Sequence, residues 1–249
     1  MPGNAHYDKF ELRQFIFIMK CIHIITPVKD SIELTLQTAE AILKSDFTVP
    51  FHYTIYNDFS TDENTKQLKE ASLKMGFELV NPSPNYLLVL QMAQEKAIAA
   101  EAGLLIVESD VIVKKHTLQS LFDGAQARKD CGIAAAVTVD EHEVINYPYL
   151  YAKGKENQVF PEKKHLSFCC SLLTTDFLRA FDFHSLNPEK NWFDVTISHQ
   201  ALEKGFVNYL FTTLTVWHRP HSSRPWKQLK YTNPLKYYWL KFTKGLDKI

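Results

Sequence analysis

Gly103-Leu104-Leu105-Ile106-Val107-Glu108-Ser109-Asp110 is the stretch on which the reading of this chain turns. Glycine opens a wholly apolar run, and the run ends in two acids one residue apart. A short aliphatic run without alternation describes a strand buried on both faces, as in a parallel sheet covered by helices on either side. Ligands of such sheets bind at the carboxyl ends of the strands. Two carboxylates separated by one residue face a common site when the chain turns there. Oxygen donors of that kind suit Mg²⁺ or Mn²⁺, with a diphosphate completing the shell.

Outward from this strand, the first half alternates strand and helix patterns. Cys21–Thr26 is an apolar β run closed by Thr26-Pro27, and residues 32–44 follow as a helix. Residues 51–56 form a second strand with the polar loop Asn57-Asp58-Phe59-Ser60 at its end. Thr61 or Asp62 caps a helix that stops at Gly76. Residues 77–80 are a third strand, and an Ala-rich helix from about Tyr86 to Ala102 leads into the run quoted above. A helix over 117–129 and a buried strand over 132–139 complete this half. The second half is less regular. Residues 140–165 are polar, aromatic and loop-like, and a loop of that length suggests a functional flap. A strand (167–173), a short helix (175–181), a helix (193–204) stopped by Gly205, and one or two strands (206–217) follow.

The bulk properties set limits. With 249 residues, 45% hydrophobic and 22% charged, the chain is able to bury a full core as a soluble protein. Its zero net charge hides an asymmetry. From Arg219 onward there are eight Lys/Arg and one acid, leaving 20 basic residues against 27 acidic ones before it. A mildly acidic body with a basic tail points to an anionic membrane surface or to a solvated terminal helix. After Pro234, Leu235, Tyr238, Trp239, Phe242 and Leu246 recur at helical spacing, with Lys241, Lys244 and Lys248 on another face. That pattern suits an interfacial helix or one docked on the body. The four cysteines form no CxxC pair, which favours a reduced, cytoplasmic protein, possible contact with the inner face of the membrane being peripheral. Residues 15–18 are apolar but too few to span a bilayer. Residues 1–18 read as an extension, 19–222 as the catalytic domain and 223–249 as a basic aromatic tail. Nothing resembles a nucleic-acid-binding signature.

The order of elements over about residues 21–221 resembles the GT-A fold of family 2 glycosyltransferases, an α/β fold with a mostly parallel central sheet and helices on both faces. Thr26-Pro27-Val28-Lys29 is similar to the family's first loop, and Asn57-Asp58-Phe59-Ser60-Thr61-Asp62 to its DDxSxD-like segment, with Asn57 replacing an acid. The resemblance implies that Asp58 accepts a hydrogen bond from the nucleotide base, while Thr26 and Val28 line the base pocket. Asp62 reads as a helix cap with no ligand role. Glu108-Ser109-Asp110 resembles the DxD motif. It implies Asp110 as the direct metal ligand, Glu108 reaching the ion through water or holding the ribose, and Ser109 beside them on the donor side. Residues 194–206, from Asp194 to Gly205-Phe206, resemble the ED-x-x-L helix, with Asp194 at the catalytic base and Phe193 replacing the acid before it. Asp194 is equally placed to be a helix N-terminal acid favoured by the macrodipole. Trp217-His218 falls where family members place a metal-binding histidine, with His221 a weaker match. Arg219 and Arg224 are candidates to neutralise a diphosphate.

The resemblance implies an inverting glycosyltransferase. It would use Mn²⁺ or Mg²⁺ and a UDP-, GDP- or dTDP-linked sugar, and act on a saccharide or lipid-linked acceptor in polysaccharide or glycolipid assembly. Two rivals remain. A sugar-nucleotide-forming nucleotidyltransferase needs a Gly-rich phosphate loop that Thr26-Pro27-Val28-Lys29-Asp30-Ser31 lacks. A catalytically silent sugar-nucleotide or membrane binding module is kept open by Phe193 and Glu108.

Overall fold

The computed structural model describes residues 19–58, 60–81, 85–189, 192–219, 229 and 233–244. The extension expected at 1–18, and His221 and Arg224, lie outside the described residues. In chain order the elements are β1 (Ile22–Val28), α1 (Ile32–Leu43), β2 (Phe51–Asn57), α2 (Asp62–Met75), β3 (Glu78–Val80), α3 (Tyr86–Ala99), β4 (Gly103–Val107), β5 (Val111–Val113), α4 (Thr117–Gln126), β6 (Cys131–Val139), β7 (Val159–Pro161), β8 (Cys170–Leu173), α5 (Thr175–Ala180), α6 (Phe193–Glu203), β9 (Val207–His218) and α7 (Pro234–Thr243). Among the described residues, nine strands form one mixed sheet in the order β3-β2-β1-β4-β8-β6-β9-β5, with β7 also pairing β9.

Local chemistry sets the element ends. The Thr61 hydroxyl accepts from Asn64 N at 3.4 Å to open α2, and Gly76 closes it at φ +84°, a left-handed conformation that costs glycine little. Asn85 opens α3 by accepting from Leu88 N at 2.9 Å. Buried strands present their two faces alternately. Ile25, Leu104, Ile106, Ile133 and Ala135 belong to one core with helices α3, α5 and α6. Ile24, Leu105, Val107, Ala134 and Ala136 belong to the other, beneath α1, α2 and α4. All five residues of β4 are buried, as the unalternated apolar run requires.

The block β3-β2-β1-β4 is parallel throughout. Beyond it the connections change sense. β8 inserts antiparallel between β4 and β6, pairing Val107 with Cys170 and Ile133 with Leu173. β9 runs parallel to β6, but its register jumps between Ala136 and Val137, so residues 212–214 have no partner on that strand. Before the jump, β9 pairs with β7. After it, β9 pairs with β5 through Val111↔His218 and Val113↔Val216. The stretch read as a flap is tied down: Ile145, Tyr149 and Ala152 are buried, and the segment contains β7.

A polar chain crosses the parallel block. His23, 3% exposed, lies 3.1 Å from Thr54 Oγ1, which donates to Glu78 Oε2 at 2.9 Å. Because the threonine proton goes to Glu78, the imidazole Nε2 must carry its own proton and donate. Lys96 and His52 also meet Glu78, Lys96 as half of an ion pair. Burial, with the neighbouring charges of His52 and Lys96, pushes His23 down from 6.5 to about 4. Burial raises Glu78, but hydrogen bonds from His52, Thr54 and Lys96 outweigh it and bring the carboxyl to about 2. Between pH 6.5 and 4 the unfolded chain therefore takes up a proton at His23 that the native chain refuses. The neutral histidine's contribution is complete above pH 6.5 and drains as the pH falls towards 4. We expect urea-unfolding free energy to drop by about 2–3 kcal/mol across that window, and His23→Gln to flatten the slope there.

Candidate active site

The acidic turn is held from three directions. Glu108 N donates to Cys169 O at 3.0 Å, continuing the pairing of β4 with β8. Thr38 Oγ1, on α1, donates to Ser109 O at 3.1 Å. Val111 N donates back to Glu108 O at 3.1 Å, and the chain enters β5 against the end of β9, where Arg219 N donates to Asp110 O at 3.0 Å. Two-residue spacing and this turn leave Asp110 buried at 4% exposure, beside His218 at 6%. The His218 Nε2 lies 3.5 Å from Asp110 Oδ2. The other ring nitrogen, Nδ1, lies 2.8 Å from Tyr147 O and must carry a proton to bond there. Asn146 Nδ2 donates to His218 O at 3.1 Å. In the neutral ring the Nε2 lone pair is therefore committed to the Asp110 side, the orientation that metal-binding histidines adopt.

The electrostatics are those of crowded acids. Burial and the Asp110 charge raise the Glu108 carboxyl above its usual range. Burial alone would lower His218, but the hydrogen bond and charge of Asp110 outweigh it and raise the imidazole. A cation at this turn would relieve the repulsion between the two carboxylates. Glu108 and His218 each offer a ligand atom within 4.8 Å of the other, and Asp110 lies beside His218, donor types able to hold a divalent ion.

Three further residues stand at the site that the sequence pattern did not single out as site residues. Cys169 Sγ donates to Glu108 Oε2 at 3.2 Å, with Ser167 Oγ 3.3 Å away. Burial and the Glu108 charge hold this thiol well above its ordinary range. Tyr86, at the start of α3, packs against Phe193 with ring centroids 6.1 Å apart. Burial first, then the charges of Glu108 and Asp194, raise its hydroxyl strongly. Tyr149 is raised by burial, Cys169 and, more weakly, Asp194; its hydroxyl donates to Ser167 O at 3.1 Å and accepts from Ser167 N at 3.0 Å. Non-local pairing of β8 with β4 brings Cys169 here, and nothing in the local sequence signals it.

Asp194 lies in the first turn of α6, half-buried, within the electrostatic reach of Glu108. Phe193 is buried against Tyr86, so an apolar ring fills the place of the acid expected before it. On the other side, Asp58 sits at the end of β2 with its N donating to Val28 O at 2.8 Å. Thr26 and Val28, expected to line a base pocket, are enclosed. Thr26 is fully buried and its hydroxyl accepts from Tyr53 at 3.0 Å, while Val28 belongs to the apolar core. What they offer at the strand ends is backbone rather than side chain. Asn57 is fully buried too, donating to Thr65 and Asn81 and accepting from Ser60 N, so it fastens the loop that an acid would leave open. Asp30 accepts from Thr61 N at 2.7 Å and from Asn64, while its own N donates to Ser60, tying the loops after β1 and β2 together. Arg219 bonds Gln37 at 2.8 Å and stacks over Trp217 at 4.0 Å.

No family model matches the chain, and no curated protein matches its sequence. Solved structures do. GalNAc-T7 with UDP, GalNAc and Mn²⁺ superposes at a TM-score of 0.63 and 11% identity over 90% of this chain and 48% of its own. The S. aureus TarS fragment 1–349 gives 0.59 and 16% over 79% of this chain and 60% of its own. The mannosyltransferase PcManGT of Pyrobaculum calidifontis, in complex with GDP-Man and Mn²⁺, gives 0.57 and 11% over 89% and 64%. The chain thus spans between about half and two thirds of these proteins. Its fold is the GT-A fold they share.

Proposed function

We propose that the chain is an inverting glycosyltransferase of family 2, moving a sugar from a nucleotide-diphosphate donor to an acceptor hydroxyl in polysaccharide or glycolipid assembly. The observation that carries this reading is the buried pair of Asp110 and His218 at the carboxyl end of β4, with the imidazole Nε2 turned to the carboxylate by the Tyr147 carbonyl. The similar structures that hold UDP or GDP-Man together with Mn²⁺ support it.

In this reading Asp110 and His218 hold Mn²⁺ or Mg²⁺, with Glu108 and Ser109 beside the donor. The ion, when bound, neutralises charge that grows on the departing nucleoside diphosphate. Asp58 accepts from the nucleotide base, on loops already clamped through Asp30. Arg219, held by Gln37, lends positive charge to the diphosphate side. Asp194 takes the proton of the acceptor hydroxyl while that oxygen bonds to the anomeric carbon and the bond to the diphosphate breaks on the opposite face. The half-buried Tyr86 and the buried Phe193 shield the base from water. The catalytic body occupies 19–222 and the tail 223–249.

The tail gives the protein a place to work. On α7, Leu235, Tyr238, Trp239 and Phe242 recur at helical i, i+3, i+4, i+7 spacing and are 58–90% exposed, while Tyr237 is buried. An outward apolar stripe in a segment with eight cationic side chains and one acid from residue 219 onward fits an anionic bilayer. No helix among the described residues is long and apolar enough to cross a membrane, so the proposed contact is peripheral, at the cytoplasmic face.

Three measurements test this. Saturating UDP, GDP or dTDP with Mn²⁺ should raise the melting temperature by several degrees, since ligand at a hundred times its Kd adds about 2.7 kcal/mol. Nucleotide without metal, or metal and nucleotide with Asp110→Asn, should give little shift; equal shifts in all cases would sink the metal site. Asp194→Asn should cut kcat by about 10²–10⁴-fold while leaving that shift intact; unchanged turnover would remove Asp194 as the base. The protein should float with phosphatidylglycerol vesicles but not with phosphatidylcholine ones, and Trp239→Glu with Phe242→Glu should abolish flotation. A dimer in solution that the same changes dissolve would instead assign the stripe to a second copy of the chain.

A further inference from the structure

The His218 Nε2 faces two donor sets. One is Asp110, whose Oδ2 lies 3.5 Å away. The other is softer. One ligand atom each from Glu108, Cys169 and His218 lies within 4.8 Å of the others, and Cys169 Sγ and Glu108 Oε2 are already 3.2 Å apart. Ligand atoms around a tetrahedral zinc stand roughly 3.3–3.8 Å from one another, given metal–ligand bonds of about 2.0–2.3 Å. Side-chain adjustments of about an ångström close this set on an ion. The backbone is braced for it: Glu108 N bonds Cys169 O, and His218 is fixed by Tyr147 and Asn146.

We propose that Glu108, Cys169 and His218, with Asp110 alongside, form a mixed oxygen–nitrogen–sulfur site that takes a thiophilic divalent cation, Zn²⁺ or Cd²⁺, through Cys169 Sγ. This deepens the reading of the cluster as the donor-side metal site, on which it rests. An all-oxygen site suits Mg²⁺, whereas imidazole and thiolate shift preference to zinc and its congeners. The Cys169 thiol gives up its proton to solvent as the sulfur–metal bond forms, so each ion bound through sulfur releases that proton in addition to any held at Glu108 or His218 Nε2. The ion competes with Mn²⁺ because both sets use His218. The glutamate in place of an aspartate fits the arrangement, its extra methylene carrying the carboxylate towards the thiol.

Cd²⁺ titration of the whole chain tests the assignment. The thiolate-to-cadmium absorption band should appear in the native protein, with a ¹¹³Cd resonance in the range for one sulfur ligand and proton release in weak buffer. The band should persist in Cys21→Ser, which removes the more exposed thiol. It should vanish in both Cys169→Ser and Cys169→Ala, with Cd²⁺ affinity down by about tenfold or more. The resonance is read on the unmutated chain, so misfolding of a variant leaves the test intact. Absence of a sulfur band in the native protein, or its survival in both Cys169 variants, overturns the proposal. If UDP and Mn²⁺ still stabilise the protein while Cd²⁺ finds no sulfur, the transferase reading stands and this one falls. A sulfur band without any nucleotide–metal shift gives the reverse.

Discussion

The short antiparallel ladder between Val111–Val113 and Val216–His218 is what the rest of the site hangs from. It sets a buried histidine beside a buried aspartate, and it fixes the turn on which Glu108 and Ser109 lie. Burying ionisable groups is expensive unless each finds a partner. Here the expense is met by mutual proximity: Asp110 with His218, Glu108 with the Cys169 thiol. Burial first, and then the charge of Asp110, push the Glu108 carboxyl upward.

The sheet explains why such a cluster is possible at all. Its parallel block delivers strand ends and loops to one edge, and the Asp30 clamp joins the loops after β1 and β2. β8 then enters antiparallel beside β4 and places a sulfur against the acidic turn. β9 pairs with β7 at its start and with β5 at its end, on either side of its register jump against β6.

Much of this was legible in the chain itself. The apolar runs, Gly76, Thr61 and the acids at strand ends are local signals, and they located the parallel block, the helices and the acidic turn. His218 was legible only through its resemblance to a motif, since a histidine after a strand carries little information alone. The rest depended on pairing between distant segments. β5 is three residues long, too brief for periodicity to register. Cys169 looks like any cysteine in an apolar run until β8 is paired. Thr26 and Val28, two residues apart and so on one face of β1, both have buried side chains, which depends on what packs over that face and not on local sequence. Asn57 looked like a weakened acid, yet its amide both donates and accepts to hold its loop, which a carboxylate is unable to do.

The position of β9 has a temporal meaning. More than a hundred residues of chain separate Asp110 from His218, and the strand that carries the histidine is the last of the sheet. Contacts of such separation close late, after the entropy of a long loop has been spent. During synthesis the parallel block is able to assemble while the acidic turn still lacks its imidazole. An early folding species of this protein would therefore have its scaffold and its acids but not the histidine beside them. The contact of Asp110 with His218 would form only once the ribosome has passed the end of β9.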